Sequence, residues 1–600
     1  MNIMMIFRGG VGLADRLRGG GRAVLAARVV AMSVSRRVAA SLAAAAAAAA
    51  LAAVAWRRRR RAAKKPPEQL RVCVLGAGPA GLATLSAFRK LEKAGTRIPQ
   101  LVCYEKQSDW GGMWNFSWRT GVDEKGHAVH SSMYKYLWSN APKECLELAD
   151  YSFDEHFGRP IGSYPPRPVL RDYFDGRATK ADVRQLIQFD TNVDGVEWDE
   201  ATQTFAVTTT STTLGSAANP RAEMRTQTRV EHFDYVVCAS GHYSTPNSPH
   251  FDGLEDFHGR VMHAHDLKDA TEFKGQHVLI IGTSYSAEDI ASQVWKYGAA
   301  SVAISHRTKP IGWTSWPENI VEVPLLHKVR CHIGAGCAQQ ERGGTATFAD
   351  GSTRHVDAII LCTGYVHHFP FLGAGLRLNP HADRLQPANK IWLRSLYRGV
   401  FWIDNPRLLH VGPHTGFFTF SLFDAQAWLA RDAIMGSYVV PPEAEMRAHD
   451  EMMTQRCRDL LKDDGHGNYD HRCIGFQADY LAELLTLTDH PPLDVEGVAT
   501  PNPNPNPNSG SSPTPNPGPT PTPSPNLNPK VKALFVAWEE HKAEDIMSFR
   551  NHPHTSVVTG TRAATLVQAD GTTPLHWKDA MDDTCESFGL ADLFAGNVRR

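Results

Sequence analysis

Val72-Cys73-Val74-Leu75-Gly76-Ala77-Gly78-Pro79-Ala80-Gly81 is the stretch on which the fold turns. An apolar run of strand length enters G-x-G-x-x-G, and the helix-compatible residues Leu82–Lys93 follow. The three glycines serve different ends. Gly76 makes the tight turn, Gly78 lets backbone approach a pyrophosphate, and Gly81 allows close helix–strand packing. Pro79 and Ala80 open the helix, whose N-terminus offers free N–H groups and a positive dipole. The next strand, Leu101–Tyr104, ends in Glu105, where a carboxylate can accept from both ribose hydroxyls. Strand, glycines, helix, strand and acid in this order make a chance glycine turn a poor explanation. Just beyond, Trp110-Gly111-Gly112-Met113-Trp114 suits a loop pressed against a flat aromatic ligand or a Trp-lined core turn.

A second unit of the same kind follows. His277-Val-Leu-Ile-Ile281 runs into Gly282-Thr-Ser284-Tyr285-Ser286-Ala-Glu-Asp289 and a helix to about Tyr297. Only the first glycine of the fingerprint is kept, but Ser284 and Ser286 can still donate to phosphate at the helix start. The following strand, Ser301–Ser305, ends in His306-Arg307-Thr308 rather than in an acid. A cation and a hydroxyl there suit the 2′-phosphate of NADP. Further strand-length runs lie at Tyr235–Cys238 and Ala358–Cys362, so the fold class is α/β with two Rossmann-like dinucleotide-binding domains.

The chain is 600 residues, enough for two or three domains. Lys+Arg and Asp+Glu both total 63, which offers no basic field for a nucleic acid. The ten cysteines include no C-x-x-C, so neither a zinc site nor a redox dithiol is suggested. That absence also counts against a dithiol-type flavin reductase, the main rival class with a double nucleotide fold. A non-catalytic nucleotide-binding scaffold, the other rival, would predict a broken glycine turn or a lost Asn140, and neither is seen.

Residues 1–66 hold many Arg and the single acid Asp15, with an uncharged, mostly Ala run at 38–56. An Arg-rich, acid-poor leader predicts a transit peptide to a chloroplast or mitochondrion. A membrane anchor through 38–56 is the alternative, and would be the chain's only contact with a membrane. Residues 67–245 begin the first dinucleotide-binding domain, 246–355 form the inserted NADP domain, and 356–498 complete the first. Residues 499–530 are a Pro/Asn-rich tract that cannot bury enough apolar surface to fold. Residues 531–600 resume the protein and are expected to pack back on the first dinucleotide-binding domain, with a helix over 531–550.

The two nucleotide motifs, with Phe257-His-Gly259-Arg-Val-Met-His263-Ala-His-Asp-Leu267 between them, resemble the class B flavin-dependent monooxygenases. Leu267 stands where that signature usually has an aromatic residue. The likeness is nearest to the bacterial-type trimethylamine monooxygenase branch, through Tyr136-Leu-Trp138-Ser139-Asn140, Ile360-Leu-Cys-Thr363-Gly364-Tyr365 and Asp545-Ile-Met-Ser-Phe-Arg550, among other stretches. The resemblance implies FAD and NADPH as cofactors, O₂ as co-substrate, a small amine or sulfide as the nucleophile oxygenated, and a homodimer. It implies that FAD touches Glu105, Gln107, Met113, Trp114 and His130. It implies that NADP touches Trp138, Asn140, Ser284, Tyr285, Ser286, Arg307, Thr308 and Arg550. Thr363, Gly364 and Thr419 join the cofactor contacts on the same ground. Asn140 and Tyr285 are the expected catalytic residues, Asn140 holding NADP⁺ and the oxygenated flavin in place. No metal is expected. The relatives carry a Gln-Trp pair ahead of the Phe423 segment, where this chain reads His414-Thr-Gly416-Phe417-Phe418-Thr419-Phe420. That difference should alter the width and polarity of the substrate pocket.

Overall fold

Four-residue runs such as Val72–Leu75 and Val278–Ile281 are apolar at every position, not at alternate ones. Strands of this kind suit a parallel sheet covered on both faces. The computed structural model places them accordingly. It describes residues 65–567 except 214–224, 313–314, 332–342, 378–390, 461, 463–468, 492, 494–528 and 566. The leader before residue 65, the Pro/Asn-rich tract up to 528 and the last residues from 568 lie outside the described residues.

Two parallel sheets organise the unit from Pro67 onward. In the first, Arg71–Leu75 lies between Gln100–Tyr104 and Tyr235–Cys238, both parallel to it. Ile187–Gln188 extends one side. Leu408–His410 extends the other, followed by the short antiparallel strands Phe401–Trp402 and Leu396–Tyr397. In the second sheet the order is Ile320–Val323, Ser301–Ser305, His277–Ile281, Ala358–Leu361 and Arg260–His263, all parallel. Two antiparallel three-stranded sheets complete the β-structure described: Thr191–Asp199 with Thr204–Thr213 and Arg225–Phe233, and Leu326–Cys331 with Gly344–Phe348 and Thr353–Val356.

The helix Pro79–Lys93 packs between the first sheet and the helices Arg167–Ala181 and Thr419–Met435. The helix Tyr285–Lys296 buries Ala287, Ile290, Ala291 and Val294, one face at helical spacing, on the second sheet. Leu267 is fully buried in that sheet's core, so an aliphatic side chain fills the place of the usual aromatic. The C-terminal helix is Pro529–Glu544, shorter than the expected 531–550. It stops because the Asp545 carboxylate accepts from the Met547 N–H at 2.8 Å, a local bond that competes with helix continuation. A 3₁₀ turn at Phe549–Asn551 follows.

Candidate functional site

The three fingerprint glycines are required for different reasons. Gly76 has φ +98°, and a Cβ there would meet the Ala239 carbonyl oxygen at 2.9 Å. At Gly81 a Cβ would lie 1.9 Å from the Gly76 carbonyl oxygen. Backbone therefore demands glycine at both. Gly78 has φ −74° and ψ −177°, and a Cβ would lie 3.5 Å from the Gly112 Cα, an ordinary contact. Nothing among the described residues forbids a side chain at 78, which points to a ligand as the reason for the glycine. Pro79 and Ala80 begin the helix behind it.

Around this turn the chain builds a cradle. Gly111 N–H donates to the Ala77 carbonyl at 2.9 Å, which sets the Trp110–Trp114 loop against the glycine turn. Arg171 fills the space beside Gly111 and pairs with Asp109 and Asp175. Glu105 is buried and accepts from the Ala77 N–H at 2.7 Å and the Gln107 N–H at 2.9 Å. Burial raises its pKa, and those backbone donors oppose the rise. Gln107 in turn donates to the Gly112 carbonyl, and the Met113 carbonyl accepts from the Ser131 hydroxyl. The Trp114 ring packs on Phe174 and Phe420. His130 is pushed down to about 3 by burial and by the Lys106 charge, so it is neutral at ordinary pH. Thr419 starts the helix Thr419–Met435 and its hydroxyl donates to the Gly416 carbonyl.

The loop after Tyr235–Cys238 was missed by sequence reasoning, yet it closes this cradle. Ser240 Oγ and His242 Nε2 are buried there and have no hydrogen-bond partner among the described residues. His242 Nδ1 bonds the Gly412 carbonyl at 3.0 Å, and burial pushes its pKa down to about 4. Buried orphan atoms beside a glycine turn that only a ligand would fill fit a bound dinucleotide with hydrogen-bonding edges.

At the second turn, Gly282 has φ +126° and a Cβ would strike the Cys362 carbonyl at 2.3 Å. Ser284 is the helix N-cap and its side chain makes no capping bond, leaving the first N–H groups of the helix for a ligand. Ser286 lies in that first turn. Arg307 and Thr308 are exposed just past Ser301–Ser305, and Arg307 has no ion pair among the described residues. Thr363 and Gly364 follow the neighbouring strand. The Thr363 hydroxyl donates to the Asn247 carbonyl at 2.6 Å, and the Gly364 carbonyl meets His263 Nε2 at 2.9 Å. The signature histidine thus fastens the crossing between the two sheets.

Asn140, Tyr285 and Arg550 line one cavity, with Asp289, Lys542 and Phe549. Asn140 is exposed to it. Arg550 is buried and paired with Asp289, and its Nε donates to the Ser139 carbonyl at 3.1 Å. It therefore clips the Asn140 segment to the helix Tyr285–Lys296 while still lining the cavity. Trp138 is 1% exposed within the large apolar core, with the Lys296 ammonium 5.8 Å from its ring centre. It supports the Asn140 segment from behind. Tyr285 donates to Glu539 Oε1 at 3.2 Å and stacks on Trp538. Among the described residues no group of three or more His, Cys, Asp or Glu side chains could hold a metal ion.

A family model described as flavin-binding monooxygenase-like matches residues 69–316, a span that holds both glycine turns. Trimethylamine monooxygenase of Methylocella silvestris is 46% identical over 520 residues, which is 86% of this chain and 98% of that protein. Trimethylamine monooxygenase of Roseovarius sp. (strain 217) is 47% identical over 521 residues, again 86% and 98%. The crystal structure of Tmm from Pelagibacter sp. strain HTCC7211 superposes with a TM-score of 0.70 at 39% identity, covering 86% of this chain and all of that one. These relatives overturn the organelle address read from residues 1–66: they are bacterial proteins and carry no organelle targeting. No helix among the described residues is long and apolar enough to cross a membrane, and the alternative anchor at 38–56 lies outside them.

Proposed function

The chain belongs to the flavin-binding monooxygenase family that includes the bacterial trimethylamine monooxygenases, and on that premise we propose that it oxygenates the nitrogen of a small tertiary amine such as trimethylamine. FAD and NADPH are its cofactors. Amine, O₂, NADPH and a proton give the N-oxide, water and NADP⁺. The observation that carries the reading is identity near one half over almost the whole length of the relatives, with all three glycines at the first turn and Gly282 at the second.

FAD, once reduced by NADPH, supplies the activation of O₂. The protein's part is to bind, orient and exclude water. Gly76, Gly78 and Gly81 bring the first helix N-terminus to the FAD pyrophosphate, and Glu105 steadies the turn through Ala77. Ser284 and Ser286 receive the NADP phosphates, and Arg307 with Thr308 selects the 2′-phosphate. Asn140 presents an amide, able both to donate and to accept, to the shared space between the two nucleotides. The Arg550 clip fixes its position. Tyr285, held by Glu539 and Trp538, walls the nicotinamide side. Gly416 and Phe417, in place of the relatives' bulkier pair, shape the substrate end: Phe417 packs edge-on to Tyr285 and Trp538. The working assembly is a homodimer. NADPH consumption over trimethylamine, bulkier tertiary amines and dimethyl sulfide tests the reading. Consumption stimulated by no amine would remove it.

A further inference from the structure

Two consecutive acids, Glu288 and Asp289, sit one turn into the helix whose N-terminus faces the second glycine turn. Both are buried. Negative charge is favourable at a helix start, but here it competes with the phosphates expected at the same end. Each acid meets a cation from the far end of the chain. Asp289 meets Arg550. Glu288 Oε2 lies 2.9 Å from Lys542 Nζ, and Lys542 is 2% exposed. The same ammonium lies 3.8 Å from Glu539 Oε2. It also sits 4.3 Å above the Tyr285 ring and 5.3 Å from the Trp538 ring. Glu539 accepts the Tyr285 hydroxyl, so one buried cation cancels an acid on the nucleotide helix and fixes the first side chain of that helix.

We infer that Lys542 is a positioning residue of the nicotinamide-coenzyme site, supplied by the C-terminal segment: it neutralises Glu288 so that the coenzyme's phosphates meet an uncompeted helix N-terminus, and it holds Tyr285 in place. The inference rests on the reading that NADP(H) binds at Gly282–Ser286. A buried charge that loses its partner keeps its field, because water does not reach it to screen it. Lys542→Met therefore leaves both Glu288 and Glu539 without their cation, with Glu288 opposing the nucleotide, whereas removing the Glu288 charge along with the lysine's restores the net charge that the three side chains carry in the parent.

The test titrates NADP⁺ into the FAD-loaded enzyme and follows the flavin absorbance change, in the parent, K542M, K542R and the double variant E288Q/K542M. Binding should weaken on the order of tenfold in K542M, the scale of a typical coupling between sites. It should be kept in K542R and recover most of the way in the double variant. Recovery separates neutralisation from packing, since the double variant lacks the lysine too. Unchanged binding in K542M would overturn the inference. So would equal weakening of single and double variants, or loss of FAD from both, which would place the lysine in the fold alone. A parent that does not respond to NADP⁺ would instead overturn the placement of the coenzyme.

Discussion

Gly78→Ala separates what the ligand requires from what the fold requires. At Gly78 a methyl group would lie 3.5 Å from the Gly112 Cα and 3.9 Å from its nitrogen, both ordinary contacts. The backbone there, φ −74° and ψ −177°, is open to any residue. Restricting the unfolded chain favours Ala by about 0.4–1 kcal/mol. Ala is a poorer N-cap than Gly, at a cost of up to about 1 kcal/mol. The two nearly cancel, so FAD-free G78A should melt within about 3 °C of the FAD-free parent. The added methyl nevertheless stands where a pyrophosphate must approach. FAD affinity should fall at least about tenfold, or ~1.4 kcal/mol. Gly81→Ala is the control: its methyl would lie 1.9 Å from the Gly76 carbonyl, so it should lower the melting temperature even without FAD. FAD titration of the apoprotein, followed by flavin fluorescence, with melts of both forms, reads both quantities. G78A that binds FAD as tightly as the parent would refute the placement of the pyrophosphate at this turn.

Arg307→Ala should raise the KM for NADPH by about one to two decades, the value of a charge-assisted contact of roughly 1.5–3 kcal/mol, and barely change that for NADH; steady-state kinetics with both coenzymes checks it, and equal parental use of the two would sink it. Asn140→Ala should keep FAD and still be reduced by NADPH, but release more H₂O₂ and less product per NADPH, because water gains access beside the reacting ring; undiminished coupling would make Asn140 a turn residue only. Stability should fall as pH drops below about 6.5. Burial pushes His410 and His414 down to about 3, so these imidazoles take up protons only on unfolding. Their contribution is fully present above the unfolded value and is lost towards the folded one, at about 1.4 kcal/mol per pH unit for each histidine. His410→Leu should flatten the slope of denaturation free energy between pH 6.5 and 5 by about that amount, and an unchanged slope would show that the ring is already charged in the fold.

Much of the architecture was legible because parallel strands buried on both faces announce themselves as unbroken apolar runs. Val72–Leu75, Val278–Ile281 and Ala358–Leu361 all became strands of parallel sheets, each flanked by a neighbour on both sides. The glycine turns were legible for the same local reason. What sequence could not show was pairing over distance. The resemblance offers Arg550 to NADP, and only the fold shows that it is also paired with Asp289. Lys542 carries no motif, and its partner Glu288 is brought to it only by the fold. One signal was available: two adjacent acids near the start of a phosphate-binding helix call for counter-ions. The Asp545 helix stop depended on a single side chain choosing its own backbone. The Arg-rich leader resembles an address by composition alone, and composition did not survive comparison with bacterial relatives.

Isotope labelling reads whether one atom of O₂ is transferred to an amine. Purified FAD-loaded enzyme, NADPH and trimethylamine are incubated under ¹⁸O₂ and the product is weighed by mass spectrometry while NADPH and H₂O₂ are followed. An N-oxide carrying a single ¹⁸O should form in step with NADPH consumed and with little H₂O₂. NADPH oxidised with H₂O₂ as the sole oxygen product, for trimethylamine and for every other amine or sulfide offered, would contradict that transfer.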